Sequence, residues 1–290
     1  MRLLDQVAQA RVPCVIEDDL GIWRMPAAVD RAATVGDVPL RYVLQPQVTA
    51  RCRQLLRTDR GMLSPYNGLL RASAPRLWIE WAEEQRAGLL IEADASGRSG
   101  TIEVFWEQAA DEPALAQALL SFDFDRVMPA AAAGSSVFQL RADQHPLADH
   151  LRFSIPDGWM RHLFANGEVI GRRAVATICA NVLADAEMLF AFCPLLLHRP
   201  EIDLTPAALD RINRQRLRRG RPELLDHLDV ALCLDRAGVG SAAAIQPSRT
   251  ARLHLVRGHM VQRQDRMFWR RSHLRGDMSR PIASRTVHVR

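Results

Sequence analysis

The chain has 290 residues, 48% of them hydrophobic and 24% charged, with a formal net charge of +5 carried entirely by arginine, because all 38 Lys+Arg positions are Arg. The absence of lysine excludes chemistry that needs a lysine amine: Walker A phosphate binding, Schiff-base catalysis, a kinase-type phosphate lysine and the carboxylate–lysine sites of common nucleases. Guanidinium groups stay charged at any working pH and grip phosphate or carboxylate bidentately.

The length suits one large domain or two ordinary ones, with enough apolar residues to bury a core. Cysteines 14, 52, 179, 193 and 233 are odd in number and form no C-x-x-C pair. That argues against a disulfide framework or a thiolate zinc site, and for buried thiols in a reducing cytoplasm. Asp5, Gln6 and Gln9 interrupt the N-terminus before an apolar signal region can build.

In chain order, residues 2–10 and 46–56 read as helices and 40–44 as a strand. Turn-rich sequence follows at 59–61 and 64–68. Between 76 and 108 the runs 77–81, 89–92 and 101–106 are rich in β-branched and aromatic residues and are separated by Gly88 and by 95–100, which predicts an antiparallel meander. Residues 121–126 and 137–141 read as edge strands. Residues 172–192 form a long helix on which Thr177, Asn181 and Asp185 recur every four positions. That polar stripe, with Pro194 beyond it, marks a core helix rather than a span of roughly 20 apolar residues. A second helix is expected over 206–218, capped by Thr205 with Pro206 in its first turn and stopped by Gly220 and Pro222. Residues 224–234 resume as a strand or short helix, 238–244 connect, and 249–290 read as three strands, the last at 285–290.

Charge is unevenly spread: residues 206–290 hold 18 arginines against 7 Asp and Glu, a net +11, whereas residues 1–205 hold 20 against 26, a net −6. An acidic body with a basic end is the asymmetry expected where one end meets a polyanion. Six arginines fall within residues 211–221, and on a helix Arg211, Arg214 and Arg218 share one face, with Arg221 just beyond. Such a face suits a phosphate backbone, and equally an exposed basic helix end complementing the helix dipole.

The terminal stretch adds Arg252, His254, Arg257 and His259, then Phe268-Trp269, His273 and Arg275. This composition can bind phosphates, stack bases and move protons near neutral pH. A metal site on His254, His259, His273 and Asp277 is disfavoured, because His254 and His259 fall on opposite faces of a regular strand unless a bulge intervenes near Gly258. Metal-independent RNA cleavage is the better enzymatic reading, since it needs an imidazole base and cationic groups around the phosphorane. The carboxylates Asp123 and Asp125 share a strand face, and Glu17, Asp18 and Asp19 cluster, but no third ligand for Mg²⁺ is identifiable. Trp78, Trp81, Phe105 and Trp106 read as core.

The pattern Asn213-Arg214-x-Arg216 … Arg219-Gly220-Arg221-Pro222-x-Leu224-Leu225, with His254-x-x-Arg257-Gly258-His259 … Phe268-Trp269 … His273-x-Arg275-Gly276 and the upstream Pro75-Arg76-Leu77-Trp78-Ile79-Glu80-Trp81, resembles a family of uncharacterised proteins of bacteriophages, prophages and other mobile elements. The resemblance implies a genomic context and no mechanism.

The fold expected is α+β: a mixed region on an antiparallel sheet over 1–145, a helical segment over 146–205, and a small basic β module over 206–290. The function expected is a cytoplasmic nucleic-acid-binding accessory protein of a mobile element. DNA or RNA is the partner, and no cofactor, metal or membrane is required. Arg211, Arg214, Arg218, Arg221, Arg252, His254, Arg257, His259, His273 and Arg275 form the contact. The alternatives are a metal-independent ribonuclease using His254, His259 or His273, and a structural or protein-interaction module.

Overall fold

The computed structural model of the chain describes residues 1–18, 21–24, 28–58, 69–125, 137–138, 147–197, 201–233, 254–256, 259–263, 266–270 and 273–275. Contacts divide the chain into two compact units, Met1–Cys193 with Leu204–Ala231, and Pro194–Asp203 with Leu232–Arg290. Residues 206–231, grouped by charge with the basic end, pack in the first unit.

The elements in chain order are α1 (Leu3–Gln9), β1 (Arg11–Val12), β2 (Cys14–Asp18), β3 (Gly21–Arg24), β4 (Val29–Asp30), α2 (Ala32–Gly36), β5 (Leu40–Leu44), α3 (Pro46–Thr58), β6 (Arg76–Ala82), β7 (Arg86–Ala93), β8 (Ser99–Ala109), β9 (Glu112–Ala116), β10 (Leu119–Asp123), β11 (Val137–Phe138), β12 (Leu151–Ser154), α4 (Asp157–Leu163), α5 (Glu168–Leu197), β13 (Ile202–Pro206), α6 (Asp210–Arg218), β14 (Leu228–Leu232), β15 (His254–Val256), β16 (His259–Arg263), β17 (Arg266–Arg270) and β18 (His273–Arg275). The class is α+β.

The main sheet has 12 strands, with β11-β12-β10-β8-β7-β6-β5-β14-β13 as its path and β9, β2 and β3 branching from β8. The meander read from 76–108 is antiparallel as expected, from Arg76↔Glu92 through Ala93↔Gly100. Beyond it the sheet is mixed: β5 runs parallel to both β6 and β14, and β2 runs parallel to β9. β10 is interior rather than an edge, because β12, unforeseen in the sequence, pairs along its far side from Leu119↔Ser154 to Phe122↔Leu151.

Strands β6 and β7 are buried almost continuously rather than alternately, since both sheet faces are covered. One face receives α1. There Leu3, Leu4 and Val7 are fully buried, and Trp78 and Phe105 pack with ring centroids 5.3 Å apart. The other face receives α3 and α5, where Phe192 meets Tyr42 edge-on at 5.2 Å and Phe190 meets Phe124 at 5.1 Å. Among the described residues, α5 is the one helix long and apolar enough to cross a membrane, and 61% of its apolar window is buried inside the protein. It is exposed at Arg172, Arg173, Ala176, Ala180 and Asn181 and closed from Met188 to Leu195, as a core helix lying on a sheet must be.

Gly88 faces Glu80 across the β6–β7 ladder, and a Cβ placed there would come within 2.5 Å of the fully buried Trp78 ring. Gly88→Ala should therefore lower stability by about 1–3 kcal/mol through overpacking, measurable as a lower urea midpoint at unchanged slope. An unchanged midpoint would show that the indole has room to move.

The helix expected to start at Thr205 and Pro206 starts later. Pro206 closes β13 instead, the Ala207 N–H donates to the His227 carbonyl at 3.0 Å, and α6 begins at Asp210 with Leu209 as its cap. The Thr-Pro signal yields to pairing of β13 with β14: a proline lacks an N–H, which a strand end does not need. Within the segment 224–234 the strand β14 forms at Leu228–Leu232, and the described residues of 249–290 form the four short strands β15 to β18. The strand expected at 285–290 lies outside the described residues.

Candidate nucleic-acid interface

Helix α6 carries no buried residue, so something other than apolar burial holds it. Leu209, its cap, is 8% exposed and anchors the start. At 100° per residue, Asn213 and Arg216 lie on the side of the helix opposite Arg211, Arg214 and Arg218. Those two residues fasten α6 to the extended segment that follows it. The Asn213 amide donates through Nδ2 to the Leu224 carbonyl at 3.0 Å and accepts the Leu224 N–H at 2.9 Å, and Arg216 Nε donates to the Pro222 carbonyl at 2.7 Å.

The turn between helix and segment is a Schellman motif. The Gly220 N–H donates to Leu217 and the Arg221 N–H to Arg216, both at 3.0 Å, with Gly220 at φ +65°, a conformation that costs glycine little. Gly220 thus ends the helix as the sequence led one to expect. The segment is pinned at its far end, where the Leu225 N–H donates to Asp5 Oδ1 at 2.8 Å and Leu225 in turn accepts His227 Nδ1 at 3.0 Å. Burial holds the Asp5 carboxyl above its ordinary range, opposed by the Leu225 hydrogen bond and by electrostatic attraction toward the nearby Arg2 and Arg216.

The clamped side leaves Arg211, Arg214 and Arg218 exposed together, followed by exposed Arg219 and Arg221. Arg214 Nε reaches its own helix at the Asp210 carbonyl, 3.2 Å, and none of the five forms an ion pair among the described residues. Several arginines elsewhere in the same unit are paired instead. Arg31 grips Glu103 bidentately at 2.6 and 3.0 Å, Arg53 meets three carboxylates, Arg86 meets Glu107 and Arg98 meets Asp125 at 2.8 Å.

No family model, curated protein or solved structure matches the chain.

In the second unit, β15 pairs with β18 and β16 with β17, both antiparallel. The register runs from His254↔Arg275 to Val256↔His273 in β15–β18, and from His259↔Arg270 to Arg263↔Arg266 in β16–β17. Directly opposed residues and residues two apart share a face. His254, His273 and Arg275 consequently lie on one face of the β15–β18 ribbon. On β16–β17 one face holds His259, Val261, Arg263, Arg266, Phe268 and Arg270, and the other holds Met260, Gln262, Met267 and Trp269. Arg252 and Arg257 lie outside the described residues, as does Gly258, where a bulge would have to sit to bring His254 and His259 to one face.

The sequence-derived site thus divides. Arg211, Arg214, Arg218 and Arg221 belong to the first unit, and His254, His259, His273 and Arg275 to the second. Asn213 and Arg216, which orient the arginine face, were visible only as members of a basic run. The acidic pair Asp123 and Asp125 is engaged locally, with the Asp125 N–H on Asp123 Oδ1 at 2.9 Å and Asp125 on Arg98. Trp78, Trp81 and Phe105 are core, as their spacing indicated, whereas Trp106 is half-buried and donates to Asp185 Oδ2 at 2.6 Å. Among the described residues no group of three or more His, Cys, Asp or Glu is arranged to hold a metal.

Proposed function

We propose that this protein binds nucleic acid, through the arginine face of α6 and the basic terminal ribbon, as a cytoplasmic accessory protein of a phage or other mobile element. The observation that carries the reading is that Arg211, Arg214 and Arg218 share one exposed helical face and form no ion pair among the described residues, in a unit where Arg2, Arg31, Arg53, Arg76, Arg86, Arg98 and Arg172 each meet a carboxylate. Exposed guanidinium groups on one helical face suit a phosphate backbone and gain by releasing counterions. A two-stranded ribbon with arginines on one face is also of a width that a duplex major groove admits.

The test is salt-dependent binding of duplex DNA and of RNA. Each neutralised phosphate adds about 0.9 to the slope of log affinity against log salt on duplex DNA. The triple variant Arg211→Gln, Arg214→Gln, Arg218→Gln should flatten that slope by roughly 2–3 and weaken binding about a hundredfold at about 0.1 M salt. Absence of binding to any DNA or RNA at low salt, or an unaltered slope in the triple variant, removes the α6 reading.

A second reading, a metal-independent ribonuclease, draws on the register that sets His254 opposite Arg275 with His273 two residues along. It requires RNA cleavage that persists in EDTA and disappears in His254→Ala or His273→Ala.

A further inference from the structure

An open pocket of about 710 Å³ lies in the first unit beside the clamped segment, and arginines from four separate parts of the chain converge on it: Arg2 at the start of α1, Arg86 on β7, Arg216 on α6 and Arg221 on the turn. Asp5 and Asp111 are the acidic residues of the lining, and each is committed to the protein. Asp5 Oδ1 accepts the Leu225 N–H, and Asp111 is held by the Gln6 amide at 3.3 Å and the Met1 amino group at 3.5 Å. Arg2 gives one nitrogen to Asp229 at 3.1 Å, and Arg86 gives Nη1 to Glu107 at 3.1 Å.

Arg216 and Arg221 are different, because neither meets a carboxylate among the described residues. Arg216 is nevertheless oriented: its Nε is tied to the Pro222 carbonyl, and its Nη2 touches only the Met1 sulfur, at 3.8 Å. Arg221 follows the Schellman turn, whose two backbone bonds fix its Cα relative to α6. The oriented Arg216 guanidinium and an Arg221 on a fixed backbone, neither in an ion pair among the described residues, outnumber with Arg2 and Arg86 the two acids of the lining and make an anion site, and the fork geometry of arginine favours the tetrahedral oxygens of phosphate. The volume falls within the range of small-molecule sites, and Pro222 and Leu224 supply apolar wall on which a sugar or base can rest.

We infer that this pocket binds a phosphate monoester, borne either by a free nucleotide or by the 5′ end of a nucleic-acid strand, with Arg216 and Arg221 as its principal ligands. The inference rests on the pocket's own lining and stands whether or not the α6 face binds a backbone.

Titration calorimetry of the full chain with AMP and with adenosine tests the phosphate, and anisotropy with a short oligonucleotide carrying a 5′-phosphate or a 5′-hydroxyl separates the two sources. AMP should bind and adenosine should not. Arg216→Gln and Arg221→Gln should each weaken AMP at least tenfold, while Arg211→Gln, on the opposite side of α6, should change it less than twofold. Arg221 lies in an exposed turn, so its variant tests the site even where Arg216→Gln perturbs the clamp. A preference of tenfold or more for the 5′-phosphorylated strand assigns the pocket to strand ends, and AMP binding without that preference assigns it to free nucleotides. Equal affinity for AMP and adenosine with no 5′-phosphate preference overturns the proposal, as does AMP binding untouched by both variants. Failure of the α6 reading would show instead in the Arg211, Arg214 and Arg218 triple variant, with AMP binding intact.

Discussion

Replacing Glu80 by Ala should cost about 3–5 kcal/mol of stability, lowering the melting temperature by roughly 10 °C for a protein of this size. Glu80 is 1% exposed on a central strand, yet its carboxylate is fully employed: Oε1 accepts the Leu3 N–H at 3.0 Å, and Oε2 accepts the Leu4 N–H at 2.9 Å and Trp78 Nε1 at 3.3 Å. Those two backbone donors belong to the first turn of α1, whose own cap residue, Arg2, offers no side-chain bond. The helix is thus capped from the sheet beneath it, where burial raises the Glu80 carboxyl above its ordinary range and the Leu4, Leu3 and Trp78 hydrogen bonds oppose that rise. Truncation orphans two buried N–H groups, each worth about 1–3 kcal/mol, and opens a hole under α1. Glu80→Gln keeps one acceptor oxygen and should lose less than half as much. If Ala and Gln behave alike, capping is not the reason Glu80 is buried there.

Arg53→Ala should be comparably damaging, by about 3–5 kcal/mol at neutral pH, and more so as the pH rises. Arg53 Nη2 reaches Glu83 at 2.8 Å and Asp185 at 3.5 Å, and Nη1 reaches Glu187 at 2.9 Å and the Ala184 carbonyl, while the guanidinium sits 5.9 Å from the centre of the Trp81 ring. One arginine thereby joins α3, the β6–β7 turn and α5, and its removal leaves Asp185 and Glu187, each about 15% exposed, without their cation. Burial holds the Asp185 carboxyl above its ordinary 3.8, with Trp106 and Arg53 opposing that rise. A raised acid keeps its proton in the folded state to a higher pH than in the unfolded state. Its stabilising contribution is therefore complete below 3.8 and is lost as the pH climbs through the folded value. Without Arg53 that value rises further, so the variant should melt closest to wild type at the acid end, below about pH 4, and furthest from it at about pH 8. The same gap at both pH values would mean that Asp185 does not carry the dependence, and Arg53→Ala combined with Asp185→Asn should narrow it.

The meander over 76–108 was legible because Leu77, Trp78, Ile79 and Trp81 form a run that needs cover on both sides, which a sheet with helices on each face provides. Length and apolar content likewise gave away α5, and glycine after a basic helix gave away the end of α6. The start of α6 was not legible, since Thr205-Pro206 is a good local cap and only the remote β14 makes it a strand end. Polar residues misled in the same way. Asp5 and Glu80 are each 1% exposed, and nothing local announces it, because their partners lie 220 and 76 residues away. The pocket arginines were individually conspicuous, but convergence of residues 2, 86, 216 and 221 is a property of topology. The terminal ribbon was read as strands from alternation alone, whereas its pairing of His254 with Arg275 depends on a register that alternation does not set.

Helix α6 has a consequence for how this surface can change over evolutionary time. It is retained by the Asn213 amide, the Arg216 Nε and a turn glycine rather than by packed side chains, so its outward positions bear almost none of the folding free energy. Surface substitutions of that kind ordinarily shift stability by less than about 0.5 kcal/mol. Residues 211, 214, 215 and 218 can therefore be exchanged wholesale to suit a new ligand while the sheet below is left undisturbed. Two side-chain hydrogen bonds and a turn glycine keep what a protein displays separate from what keeps it folded.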